Sequence, residues 1–230
     1  MSSISAVYHG NASQRTPCML VLDASGSMSS VIAGTGRTRI DELNEGLQLL
    51  QSALVDDETA AMRVQVAIVC VGGPSNDAQL LADWTDAVNF EAPTLRAGGA
   101  TPLGHGLRLA LHHVEQHKLM LKQLGVGYTR PWIMVMSDGE PTDSAAVWQG
   151  VVEECKAAQA NKSCVIFPIG VEDAKLDVLQ QLSTTRAARL KSAHFREYFQ
   201  WLSASLSSVS RSQSGDSVVL PATDPWAVFS

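Results

Sequence analysis

Four short runs, at residues 18–22, 64–71, 132–136 and 164–169, are apolar at consecutive positions rather than at alternate ones. A strand with one wet face alternates, whereas a strand that is apolar throughout needs cover on both faces, the situation of a buried parallel sheet. Parallel neighbours cannot be joined by a tight turn and need long crossovers, usually helical. The chain supplies them. Ile40, Leu43, Leu47, Leu50 and Leu54 recur at helical spacing, as do Leu103, Leu107, Ala110, Leu111 and Val114, and each set lines one face of a helix. Residues 146–158 and 175–182 are further helical segments, and Phe195, Phe199, Leu202 and Leu206 place a last helix over 195–208. The pattern predicts an α/β fold: a doubly wound, mostly parallel central sheet with helices on both faces. Residues 79–83 are expected to add one short antiparallel edge strand.

The pattern fills residues 17–208, leaving residues 1–16 as a flexible N-terminal segment. Residues 209–230 form a Ser-rich tail expected to dock through its apolar end, Trp226, Val228 and Phe229. With 45% hydrophobic and 17% charged residues the composition is that of a compact globular chain, and no apolar run is long enough to span a bilayer. The first residues carry no basic leader or apolar core of a secretory signal, so a cytoplasmic protein is expected, with no membrane partner. A net charge of −6 argues against a nucleic-acid partner. Cys18, Cys70 and Cys164 sit in or beside strand runs, Cys155 in a helix, and none forms a Cys-x-x-Cys pair; reduced, buried thiols are expected.

In a doubly wound sheet, ligands collect outside the carboxyl ends of the strands, where the strand order reverses. Three polar loops belong there: Asp23-Ala24-Ser25-Gly26-Ser27 after the first strand, Gly98-Gly99-Ala100-Thr101-Pro102 before the second long helix, and Ser137-Asp138-Gly139-Glu140 after the run at 132–136. They bring carboxylates and hydroxyls together, with no His or Cys among them. Such hard oxygen donors suit a magnesium-like ion better than zinc. In Asp-x-Ser-x-Ser, alternate residues can point into one pocket, and Gly26 is expected to permit a turn that a side chain would obstruct. Each motif alone reads first as a helix cap, because Asp and Ser are favoured at helix starts. All three on one α/β pattern point instead to a shared ion.

The segments "DASGSM", "GGATPLGHGL" and "MSDGEPTD" closely resemble the metal-ion-dependent adhesion site of von Willebrand factor type A domains, over about residues 17–206. The similarity is to the bacterial TerY-like branch associated with tellurium resistance, including "FREYFQWLSASLSSVS". The resemblance implies Asp23, Ser25, Ser27, Thr101 and Asp138 as metal-site residues, holding Mg2+, with Mn2+ or Ca2+ as alternatives. It further implies a protein partner that offers an Asp or Glu to the ion, and a setting beside a Ser/Thr kinase or PP2C-type phosphatase. The cysteine-rich segment that TerY-like proteins can carry is not present in these residues.

The function expected is therefore metal-dependent protein binding rather than catalysis. The alternative is a magnesium-dependent phosphatase of the haloacid-dehalogenase type, which needs a nucleophilic Asp and usually a second Asp two residues on as general acid; Ser25 occupies that second position. No Gly-x-Ser-x-Gly elbow surrounds Ser25 or Ser27. Residues 33–39, "AGTGRTR", lack the ending of a phosphate loop and read as a flexible approach to the first helix, with Arg37 and Arg39 as solvated charges. His113 and His117 lie one helical turn apart without a third ligand, so they read as residues of a polar helix face. His105 is expected at the pocket rim, and Glu140 and Asp143 are candidates for shaping partner choice.

Overall fold

The computed structural model describes residues 13–138, 140–190, 194–212, 216–223 and 227–229; residues 1–12, Gly139 and Trp226 of the expectations above lie outside them. Strands β1 (Thr16–Ala24), β2 (Val64–Gly72), β3 (Asp77–Asp86), β4 (Trp132–Ser137), β5 (Val165–Val171), β6 (Ala188–Leu190) and β7 (Ala227–Phe229) form one sheet in the order β3-β2-β1-β4-β5-β6-β7. The five inner strands are mutually parallel, and the outer strands β3 and β7 pair antiparallel with β2 and β6. Around the sheet lie α1 (Arg39–Asp56), α2 (Glu58–Arg63), α3 (Leu103–Gln123), α4 (Ala145–Ala160), α5 (Leu176–Gln180) and α6 (Phe195–Arg211). This is the doubly wound, mostly parallel α/β architecture that the strand and helix periods predict.

The continuous apolar runs follow from burial on both faces. Along β1, Cys18, Leu20, Leu22 and Ala24 join a core built with α1 and α6, while Met19 and Val21 join a second core built with α3 and α4. β2 divides in the same way, with Val66, Ile68 and Cys70 on one side and Ala67, Val69 and Val71 on the other. Helix α1 begins with a capping box: Asp41 N–H donates to the Thr38 hydroxyl at 3.2 Å, and the Asp41 carboxylate accepts from Thr38 N–H at 3.1 Å. Its contact with α6 is close enough that a Cβ on Gly46 would stand 2.1 Å from the Phe199 ring.

Several elements depart from the sequence reading. β3 runs ten residues and includes Trp84, because its adjacent Leu80 and Leu81 split between core and solvent and blur the alternation. Helix α2 and strand β6 are too short to show a period. Residues 31–38 are an ordered turn, with Val31 bridged to Thr38 and Ile32 N–H bonded to Arg37 C=O at 2.8 Å. Trp201, within the last helix, donates its indole N–H to Pro221 C=O at 2.9 Å, so the tail reaches back to that helix. All four cysteines are free and buried.

At the amino ends of the strands a polar network is buried instead. Arg15, wholly buried, pairs with Asp86 at 3.4 Å; Gln65 donates to Asp86 at 2.8 Å, and its oxygen meets His117 Nε2 at 2.7 Å. With the amide N–H committed to Asp86, the Gln65 oxygen accepts, so His117 carries its proton on Nε2. Its ring stacks on Trp84 with centroids 4.3 Å apart. His117 thus continues the inward stripe of α3 and does not face solvent beside His113; burial, then the Arg15 charge, lowers its pKa to about 3.

Candidate functional site

The sheet order places β1 beside β2 on one side and β4 on the other, so the connections leaving β1 and β4 diverge and open a crevice at their carboxyl ends. Asp23, next to last in β1, is fully buried there. Its Oδ1 accepts from Ser25 N–H at 2.8 Å and its Oδ2 from the Ser137 hydroxyl at 2.5 Å. Ser25 and Ser27 are bonded through their hydroxyls at 3.0 Å, and Ser27 donates to Asp138 Oδ1 at 2.6 Å. The Asp138 side chain, just past the end of β4, is wholly buried. Burial raises the Asp23 carboxyl above the ordinary range; hydrogen bonds from Ser137 and Ser25 oppose this, and the neighbouring Asp138 charge adds to it.

Thr101 arrives from the second loop. Its N–H donates to the Thr142 hydroxyl at 3.2 Å, and its C=O accepts from Thr142 N–H at 2.9 Å and Leu103 N–H at 2.7 Å, which ties this loop to the third. The first and second loops are joined by Gly26 N–H to Gly99 C=O at 3.0 Å and Gly98 N–H to Ala24 C=O at 2.9 Å. The structure thus brings Asp23, Ser25, Ser27 and Asp138 into one hydrogen-bonded group, with Thr101 held alongside by its backbone and 6% exposed. The cap reading fails for Ser25: it precedes a 3-10 turn over Gly26–Ser29 but its side chain makes no capping bond.

The glycine that the loops require is not Gly26. A Cβ there would meet Gly99 C=O at 3.5 Å, an ordinary contact. At Gly72, with φ of 80°, a Cβ would lie 2.4 Å from Ala100 O and 3.1 Å from Ser25 Cα and N. The end of β2 passes between the first two loops, and only glycine fits. The doubled Gly72-Gly73 at the end of an apolar run is the sequence signal for it.

Arg39 is the other residue that sequence reasoning misplaced. It is not a solvated charge: Nη1 donates to Asp138 Oδ2 at 2.5 Å, and the side chain is 16% exposed. Arg37 instead pairs with Glu42 and Glu45. The Asp143 side chain is buried and caps α3, accepting from Gly104 N–H at 2.8 Å and His105 N–H at 3.2 Å, with the exposed His105 ring against it at 2.6 Å. Glu140 is exposed and pairs with Lys175.

No protein-family model and no curated protein matches the sequence. Solved structures match the fold. SpaC, a pilus adhesin from Lactobacillus rhamnosus GG, superposes with a TM-score of 0.64 at 15% identity, covering 86% of this chain and 32% of that one. A von Willebrand factor type A protein from Catenulispora acidiphila gives 0.59 at 14% identity, covering 85% and 43%. The vWF domain of the type V pili tip protein Mfa5 from Porphyromonas gingivalis gives 0.57 at 13% identity, covering 83% and 94%. The chain spans less than half the length of the first two. It has the von Willebrand factor type A fold.

What the arrangement offers chemically is oxygen alone. Among the described residues no cluster of three or more His, Cys, Asp or Glu is placed to hold a metal; the donors here are two carboxylates and hydroxyls. Two buried carboxylates in mutual repulsion fit a small hard divalent cation, which would offset both charges, and the hydroxyls add neutral oxygen donors. Among the described residues no helix is long and apolar enough to cross a membrane.

Proposed function

We propose that this domain is a protein-binding module in which a divalent cation, Mg2+ or alternatively Mn2+ or Ca2+, accepts a carboxylate from a partner protein. The observation that carries the reading is the pairing of buried Asp23 with buried Asp138 through Ser25 and Ser27, at the crevice where this fold class takes ligands. Asp23, Ser25, Ser27, Thr101 and Asp138 would hold the ion. The bound cation would supply an electrophilic site for a partner Asp or Glu. The chain's own groups orient the donors: Ser137 and Ser25 N–H fix the Asp23 carboxylate, and Thr142 fixes the Thr101 backbone.

The role is binding rather than catalysis. Ser25 and Ser27 are engaged along the chain to Asp138, and His105 is engaged by Asp143, so neither serine is paired with a histidine among the described residues. The setting we infer is a cytoplasmic, TerY-like one, in which a Ser/Thr kinase or PP2C-type phosphatase is the partner.

The test is retention of proteins on immobilised wild type and Asp23→Ala, each with Mg2+ and with chelator. A partner held only by wild type with Mg2+, and Mn2+ binding by wild type alone in calorimetry, are the expected results. Equal retention by the folded Asp23→Ala protein would remove the ion from the interaction.

A further inference from the structure

The guanidinium of Arg39 completes the hydrogen-bonded group at the crevice, taking Asp138 Oδ2 while Ser27 takes Oδ1. Its position is costly to explain as ordinary surface charge. Arg39 is the first residue of α1, where the positive end of the helix disfavours a cation. The acidic residues of that first turn are engaged elsewhere, Asp41 by Thr38 and Glu42 by Arg37. Arg39 instead reaches Asp138, 99 positions away in sequence, and is mostly shielded from solvent in doing so. A single monovalent guanidinium on one carboxylate leaves the Asp23 charge facing the Asp138 charge, whereas a divalent ion can offset both.

We propose that Arg39 is a built-in counter-cation, which balances Asp138 in the metal-free protein and gives that carboxylate up when a divalent ion binds. The proposal rests on the metal reading above. Arg39 and the ion are both positive and share one carboxylate, so each is bound at the expense of the other. Removing the guanidinium deletes a charge-assisted hydrogen bond that the ion must break, together with a nearby repulsive charge. Both effects act in the same direction. The metal-free protein loses stability and the ion gains affinity.

Mn2+ and Mg2+ titration calorimetry and thermal unfolding in chelator test this with wild type, Arg39→Gln and Arg39→Lys. Arg39→Gln is expected to bind Mn2+ about tenfold tighter than wild type, to melt lower in chelator, and to recover wild-type stability at saturating Mg2+. Arg39→Lys, which keeps the charge but loses the planar fork, is expected to gain about threefold; it decides the matter should the Gln variant not fold. Unchanged or weaker Mn2+ binding in either folded variant, with wild type still binding, overturns the exchange and makes Arg39 a fixed clamp while the metal site stands. No ion binding by wild type or either variant overturns the metal reading, and the exchange falls with it.

Discussion

Replacing Gly72 by Ala tests how the strand end and the site are built as one unit. The backbone there has φ 80° and ψ −130°, a region that residues with a Cβ enter at a cost of about 1–3 kcal/mol. The added methyl would stand 2.4 Å from Ala100 O and 3.1 Å from Ser25 Cα and N, all backbone atoms that cannot swing aside. Forcing an extra carbon into such a space costs about a further 1–3 kcal/mol. The narrower unfolded ensemble of Ala returns only about 0.4–1 kcal/mol of unfolding entropy at a compatible position, and this position is incompatible. A net loss of about 3 kcal/mol is expected, read as a lower urea midpoint by far-UV circular dichroism in chelator. Because Ala100 and Ser25 are pushed apart, Mn2+ affinity should fall as well. Gly26→Ala is the matched control, with its methyl at 3.5 Å from Gly99 O and an expected loss below about 1 kcal/mol. Equal losses for the two variants, or less than about 1 kcal/mol for Gly72→Ala, would refute the reasoning.

His117 should make stability pH-dependent from the opposite end of the sheet. Its native pKa of about 3 lies below its ordinary 6.5, so between those values the unfolded chain takes up a proton that the native protein does not. Its contribution is intact above pH 6.5 and is lost as the pH falls, at up to about 1.4 kcal/mol per pH unit. Unfolding free energies between pH 7 and 5 should drop less steeply in His117→Gln than in wild type; parallel curves would contradict the assignment. The thiols give a separate check. Burial raises all four, Cys70 and Cys164 to about 11 and Cys155 to about 12, with Cys18 higher still. An aromatic disulfide reagent at pH 7.5 should therefore detect none in the native protein and all four in denaturant.

Strands β1, β2, β4 and β5 are legible in the sequence because each is covered on both faces, and double cover writes itself as a largely apolar run. Asp23, Ser25 and Ser27 are legible for a related reason: they are contiguous with β1, and the end of a buried strand is where a carboxylate is least expected. Arg39 and Gly72 are different. Their partners are Asp138 and Ala100, fixed only when the sheet order is known, and nothing local to either residue names them. His117 stands between these cases. It falls on the stripe of Leu107, Ala110, Val114 and Leu121, so its burial follows from helical spacing, and only the pairing with His113 obscured it.

The two ends of the sheet bury charge under opposite rules. At the amino ends, Arg15, Asp86, Gln65 and His117 partner one another within the chain, and the network serves the fold. At the carboxyl ends, Asp23 and Asp138 are buried together with one guanidinium, on Asp138, and Asp23 is held above its ordinary pKa by that burial. In a domain of marginal net stability, two carboxylates buried side by side are costly even when each is hydrogen-bonded. An ion that binds only the folded state would relieve that cost, adding stability that grows with the logarithm of its concentration over its dissociation constant. The proposed cation site therefore predicts a rise in melting temperature with Mg2+ concentration that vanishes in Asp23→Ala.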